Sequence, residues 1–159
     1  MGLFDSFFGK KKENLIAHTK GTSMEEMERI QNSLSGKMYA DVYNNTFNQA
    51  CRLVPKGKYS EAMVMFEDVK ANTTDVEKKG TCDNQIGVCH FFLGDFEKAI
   101  TYYYSSIQNQ FDASMADDNI WEACLALYEK TKNQDYIQLY MEQFPQGNFI
   151  KKANNILSK

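Results

Sequence analysis

The feature that most constrains this chain is a segment that occurs twice. GKYSEAMVMFEDV at 57–69 aligns with GDFEKAITYYYSS at 94–106, pairing Gly57 with Gly94, Tyr59 with Phe96, Glu61 with Lys98, Ala62 with Ala99, Met63 with Ile100 and Phe66 with Tyr103, each pair 37 residues apart. Self-similarity at one fixed period of this size marks a repeat architecture, in which each unit buries its apolar face by stacking on the next. The shared pattern has a physical reading. Gly ends the previous helix in a left-handed conformation, the aromatic anchors the next helix, and a small Ala lets two helices approach closely. Tyr59, Ala62, Met63, Phe66 and Val69 then form one apolar stripe.

Apolar residues recur with helical spacing from Met24 onward, and no segment sustains strand alternation between hairpin turns, so the chain is expected to be all-α. Ser23 followed by Glu26 is a capping-box pattern, in which hydroxyl and carboxylate each satisfy an otherwise orphan backbone N–H, and a helix is expected to begin there. Further helices are predicted over residues 38–54, 58–71, 75–92, 95–109, 114–131, 134–144 and 147–157. Their stops are Pro55-Lys56-Gly57, Gly94-Asp95 and Pro145-Gln146-Gly147.

Composition agrees with one folded domain. The 159 residues are 43% hydrophobic and 25% charged with two Pro, unlike the apolar-poor composition of disorder. The net charge is −3, and without residues 1–20, which hold four Lys, one Asp and one Glu, the remainder carries 14 basic against 19 acidic side chains. Nucleic acid is therefore excluded as a general partner, because phosphate binding needs a surplus of positive charge. No stretch approaches the roughly 20 apolar residues that cross a bilayer, and Asp5 interrupts an N-terminal run already too short for a secretory signal, so a cytoplasmic location is expected. Cys51, Cys82, Cys89 and Cys124 are then four reduced thiols, and the sequons at Asn44 and Asn72 are chance.

In the second unit the pattern continues back through its first helix, CDNQIGVCHFFLGDFEKAITYYYSSI at 82–107, and here the chain resembles the tetratricopeptide repeat (TPR) family. Ile86 and the small Gly87 match the family's Leu-Gly pair, and His90 takes the slot of its usual aromatic. The first unit keeps the small residue as Ala50, with Thr46, Gln49 and Leu53 in the slots of the family's aromatic, Leu and aromatic. The period of 37 exceeds the family's 34, and the three extra residues are placed in the KANTTDVEKKG connection at 70–80. A third, degenerate unit is expected from near Asp118, with Trp121, Cys124, Leu125 and Tyr128 on one helical face and DYIQLYMEQF at 135–144 as its second helix. The resulting organisation is a tail over 1–22 and a repeat domain over 23–159, with repeats over residues 43–76, 80–113 and 118–146 and a capping helix over 147–157. The resemblance implies a TPR-like α-solenoid: a right-handed superhelix of antiparallel helix pairs whose first helices line a concave groove.

Catalytic spacings are missing: there is no G-x-S-x-G elbow, H-E-x-x-H, P-loop or dinucleotide glycine fingerprint. Cys89 and His90 are adjacent and so point about 100° apart on a helix, which does not bring a nucleophile to its base. His90 is expected to pack between helices with one nitrogen bonded. Cys82 and Cys89 could share a helix face, but two turns separate them by roughly 10 Å, too far for one zinc. Asp117 and Asp118 are read as carboxylates placed at a helix start by its dipole. No enzyme activity, no cofactor and no metal are expected.

On the family's geometry the groove carries Asn44, Phe47, Cys51 and Val54 from the first unit, Asn84, Val88 and Phe91 from the second, and Glu122, Ala126 and Glu129 from the third. That face is apolar for two units and acidic at its far end. It fits another protein's peptide or helix with apolar anchors and a basic end, through burial plus electrostatic register. The alternative is occlusion from within by residues 24–40, where Met24, Met27, Ile30, Leu34 and Met38 form a further amphipathic stripe. Family members that hold acidic C-terminal peptides of chaperones use a clamp of Lys, Asn and Arg; Phe47, Cys51 and Glu122 depart from it, so that partner class is not expected.

The N-terminus carries a separate signal. Leu3, Phe4, Phe7 and Phe8 fall on one helical side ahead of Lys10, Lys11 and Lys12, the composition of a short interfacial anchor beside anionic lipid, whose binding would be weak and reversible. Gly2 with Ser6 also fits the myristoylation pattern, and the same opening resembles the starts of small bacterial cytosolic proteins that carry no acyl chain. The leading expectation is a non-enzymatic adaptor. The alternatives are a chaperone resembling the three-repeat secretion chaperones of bacteria, and a scaffold peripheral to the membrane.

Overall fold

The computed structural model describes residues 38–158, with side chains from Asn45 onward. The tail over 1–22, and the helix expected over 24–40 up to Met38, lie outside the described residues. Seven α-helices follow among those described: α1 Met38–Leu53, α2 Tyr59–Ala71, α3 Val76–Leu93, α4 Phe96–Gln108, α5 Ala113–Thr131, α6 Asp135–Gln143 and α7 Ile150–Leu157. One 3-10 turn, Val54–Lys56, sits between α1 and α2. No strand occurs among the described residues, and the chain is all-α there.

Local chemistry explains the boundaries. Gly57 and Gly94 adopt φ 73° and 83°, the left-handed conformation that turns the chain sharply into α2 and α4. At the corresponding corner between α5 and α6, Lys132 does the same with φ 59°, although a side chain there is strained. Asp75 and Asp112 cap α3 and α5, accepting from the N–H groups of Lys78 at 3.2 Å and Ser114 at 2.8 Å. Within the KANTTDVEKKG segment only Asn72, Thr73, Thr74 and Asp75 lie outside helices, so the extra length of the period is mostly helical and not a longer loop.

From Val42 onward the residues form one compact unit. Each helix from α2 to α7 packs on the next, and α3 also touches α5. The 37-residue period appears directly in what is buried. Phe66, Tyr103 and Tyr140 are each completely enclosed and lie at intervals of 37, as do the buried Ala50, Gly87 and Cys124. Gly87 is required by its neighbour: a Cβ there would stand 2.7 Å from the ring of Tyr103. α1 joins through Phe47, whose ring meets Phe66 edge-on at 5.4 Å.

The third unit follows the same period in a register different from the expected one. Ile120, Trp121, Ala123, Cys124 and Leu127 are buried on α5, whereas Leu125 and Tyr128, expected on one helical face with Trp121 and Cys124, are half-buried. This set is the counterpart, 37 residues on, of Asp83, Asn84, Ile86, Gly87 and His90. The expected start near Asp118 lies 38 residues after the start of the second unit at residue 80, one more than the period, and one residue is about 100° around the helix. The unit is closed by aromatic packing: Trp121 stacks on Phe149 at 5.2 Å and meets Tyr140 edge-on at 5.0 Å. α7 begins at Ile150, three residues later than expected, and the N–H groups of Asn148 and Phe149 just ahead of it are bonded to Asp117 and Tyr140 of other helices.

Candidate functional site

Most of the expected groove belongs to the interior. Cys51, Val54, Asn84, Val88 and Phe91 are all buried, the most exposed of them, Cys51, at 8%, and Phe47 is half-buried against Phe66. The side chain of Asn44 lies outside the described residues. The correction has a physical cause at Asn84, whose Oδ1 accepts Asn119 Nδ2 at 2.7 Å from α5. A side-chain bond of that length joins α3 to α5 at this point, so Asn84 faces protein and not solvent. The apolar part of the expected partner surface therefore serves the core.

The third-unit residues are different. Glu122 and Ala126 are half-buried and Glu129 is exposed. With half-buried Leu125 they follow i, i+3, i+4, i+7 spacing, which sets them on one face of α5. The pKa of the Glu122 carboxyl is raised from its ordinary value, chiefly by burial; the Lys152 charge opposes this, and the charges of Asp118 and Glu129 add to it. Lys152 is also engaged with the Phe149 ring, its Nζ 5.2 Å from the centroid. The face is thus acidic at Glu122 and Glu129 with an apolar centre.

Two buried carboxylates escaped the sequence reading. Asp83, fully buried on α3, pairs with Lys70 of α2 and accepts from Ser105 and Asn109. A signal was present, since Thr46, Asp83 and Ile120 share one period position while differing in polarity. Asp117 sits in the second turn of α5, not at its start, where Asp112 caps the helix instead. It accepts the Tyr140 hydroxyl at 2.5 Å and the Asn148 N–H at 2.9 Å, and the Phe149 N–H donates to Tyr140 Oη at 3.1 Å. A shallow recess of about 400 Å³ beside Asp117 is lined by Ser114, Gln143, Phe144 and Gly147 among others. Both oxygens of Asp117 already accept hydrogen bonds from Tyr140 and Asn148.

The remaining chemistry-bearing residues pack against protein. His90 stacks on Tyr102 at 5.4 Å, with Nδ1 3.5 Å from Asp95 Oδ2. Burial pushes the Cys51, Cys89 and Cys124 thiols up to about 12, which keeps them protonated and poor nucleophiles. Cys82 is buried as well. Among the described residues, no group of three or more His, Cys, Asp or Glu side chains is placed to hold a metal ion. Leu3, Phe4, Phe7, Phe8, Lys10, Lys11 and Lys12 lie outside the described residues, and no described helix is long and apolar enough to cross a membrane.

In comparisons with known proteins, no family model, no curated protein and no solved structure matches this chain.

Proposed function

We propose that the chain is a helical-repeat interaction module of the tetratricopeptide type, a right-handed superhelix of antiparallel helix pairs that holds a segment of another protein without enzymatic chemistry. The observation that carries this reading is the 37-residue repetition of buried positions through three helix pairs, Ala50, Gly87 and Cys124 on the first helices and Phe66, Tyr103 and Tyr140 on the second. An array built this way presents long, regular helix faces, and such faces are binding surfaces. Of the expected groove residues with described side chains, those left most accessible on one helix face are on α5, where Glu122 and Glu129 flank Leu125 and Ala126. It complements an amphipathic partner helix with a short apolar centre and Lys or Arg one turn to either side.

The test is calorimetric titration of the full chain with a helical model peptide of that pattern, against one whose Lys residues are replaced by Glu. Binding of the basic peptide alone, weakened at high salt and weakened at least tenfold by Glu122→Lys with Glu129→Lys in a variant that keeps its helicity, is the expected result. Equal affinity for both peptides, or no effect of the charge reversal, would sink the assignment of this face.

A further inference from the structure

Asp83 is fully buried in the middle of α3. Its Oδ1 forms an ion pair with Lys70 Nζ of α2 at 2.5 Å, and its Oδ2 accepts Ser105 Oγ at 2.7 Å and Asn109 Nδ2 at 3.0 Å from α4 and its C-terminal end. Three donors from both flanking helices converge on one carboxylate. Lys70 is held from its other side as well, its Nζ 5.8 Å from the Tyr102 centroid, while the Tyr102 hydroxyl donates to Glu67 Oε1 at 3.0 Å. The ammonium stays charged there: burial opposes its charge, but Asp83, Glu67 and Tyr102 together hold its pKa above the usual lysine value.

Asp83 is fully buried while Lys70 is 29% exposed; an ion pair with a buried member seldom makes a fold more stable than a well-packed apolar pair would, yet removing the counterion of the buried charge is strongly destabilising. The pair is therefore better at telling correct packing from incorrect packing than at adding stability. One period later the same two positions, on α4 and α5, carry Ile107 and Ile120, the first half-buried and the second fully buried, and these two helices pack on each other. Where the first joint is ionic, the second is apolar. If α2 docked on α5, Lys70 would meet Ile120 without an acceptor, and if α4 took the place of α2 on α3, Ile107 would leave Asp83 without its cation.

We infer that the Lys70–Asp83 pair is a register lock: it commits α2 to α3 and excludes exchange of second helices between units, within one chain or between two copies. This concerns how the array assembles and stands apart from what the α5 face binds.

The experiment is a double-substitution cycle in the full chain, with Lys70→Ile, Asp83→Ile and the two combined, which copies the apolar joint into the first position. Each single change is expected to lower the melting temperature by about 10 °C, and the combination to regain most of it. The combined variant should then show exchanged packing, read as concentration-dependent dimer by light scattering and as a second set of amide resonances. Losses that simply add would overturn the pairing. A combined variant that is monomeric with one set of sharp resonances would overturn the role in register. If either Ile variant does not fold, Lys70→Met and Asp83→Asn complete the same cycle with the same two readouts.

Discussion

Replacing Gly87 with Ala tests the close approach of α3 and α4 at its narrowest point. In an exposed helix interior this change stabilises by about 1 kcal/mol, because alanine loses less backbone freedom on folding. Here the added Cβ would lie 2.7 Å from both Cδ1 and Cε1 of Tyr103 and 3.2 Å from the Ala99 carbonyl oxygen. Tyr103 cannot swing aside, since it is completely enclosed and its ring is rigid. Ring and helix must separate by a large fraction of an ångström, which puts the overpacking cost near the upper end of its range, about 3 kcal/mol. Set against the gain of about 1 kcal/mol in propensity, the net loss is about 2 kcal/mol, or about 4–8 °C in melting temperature for a chain of this length. Urea unfolding followed by helical circular dichroism measures it directly. Stabilisation by Gly87→Ala, the sign an unpacked helix would give, would refute the packing argument. A second comparison isolates the contact: combining Gly87→Ala with Tyr103→Leu should cost less than the sum of the separate changes.

Three further changes are diagnostic. Tyr140→Phe removes the donor to Asp117 and should cost about 1.5–3 kcal/mol, whereas Tyr103→Phe, whose hydroxyl has no hydrogen-bond partner among the described residues, should be neutral or stabilising; equal effects in urea melts would contradict both assignments. Lys132→Gly relieves the left-handed corner after α5 and should stabilise by about 0.5 kcal/mol after loss of the contact with Tyr128, a decrease in the melting midpoint being the contrary result. Glu122 holds its proton more tightly folded than unfolded, so its ionisation lowers stability as pH rises above the usual carboxylate pKa. Glu122→Gln should therefore raise the melting temperature at pH 7 and leave it unchanged at pH 3, by less than about 1 kcal/mol because the group is half exposed and screened; a loss at pH 7 would reverse the argument.

The helices were legible because their signals are local. Left-handed glycines at 57 and 94, the Ala62 and Ala99 pair, and the aromatics at 66 and 103 each act within one or two turns, and the structure puts all of them where the repeat predicts. The groove was less legible because exposure is decided between units. Whether Asn84 faces solvent depends on how closely α5 approaches α3, and no residue near Asn84 encodes that distance; Asn119, 35 positions away, does. The third unit slipped by one residue for a related reason. Its corner has Lys132 in place of Gly, its small position is Cys124, and the most conspicuous side chain, Trp121, turns out to match Asn84.

One period position shows how a repeat is adapted at its end. Phe66, Tyr103 and Tyr140 fill equivalent places in the core, and all three bury a ring completely. Phe66 has no hydroxyl, and the Tyr103 hydroxyl has no hydrogen-bond partner among the described residues. At Tyr140 the hydroxyl donates to Asp117 and accepts the Phe149 N–H, while Asp117 accepts the N–H of Asn148. Those two N–H groups sit at the start of α7, where a helix leaves its first donors without internal partners, and partly buried donors must be paired. Inner units are covered by the next helix pair; the last one is covered by α7, which Asp117 and Tyr140 seat through its backbone and Trp121 through the Phe149 ring. The repeat thus supplies the ring at each position, and the polar atoms added at the third convert a core residue into the fastening for the end of the array.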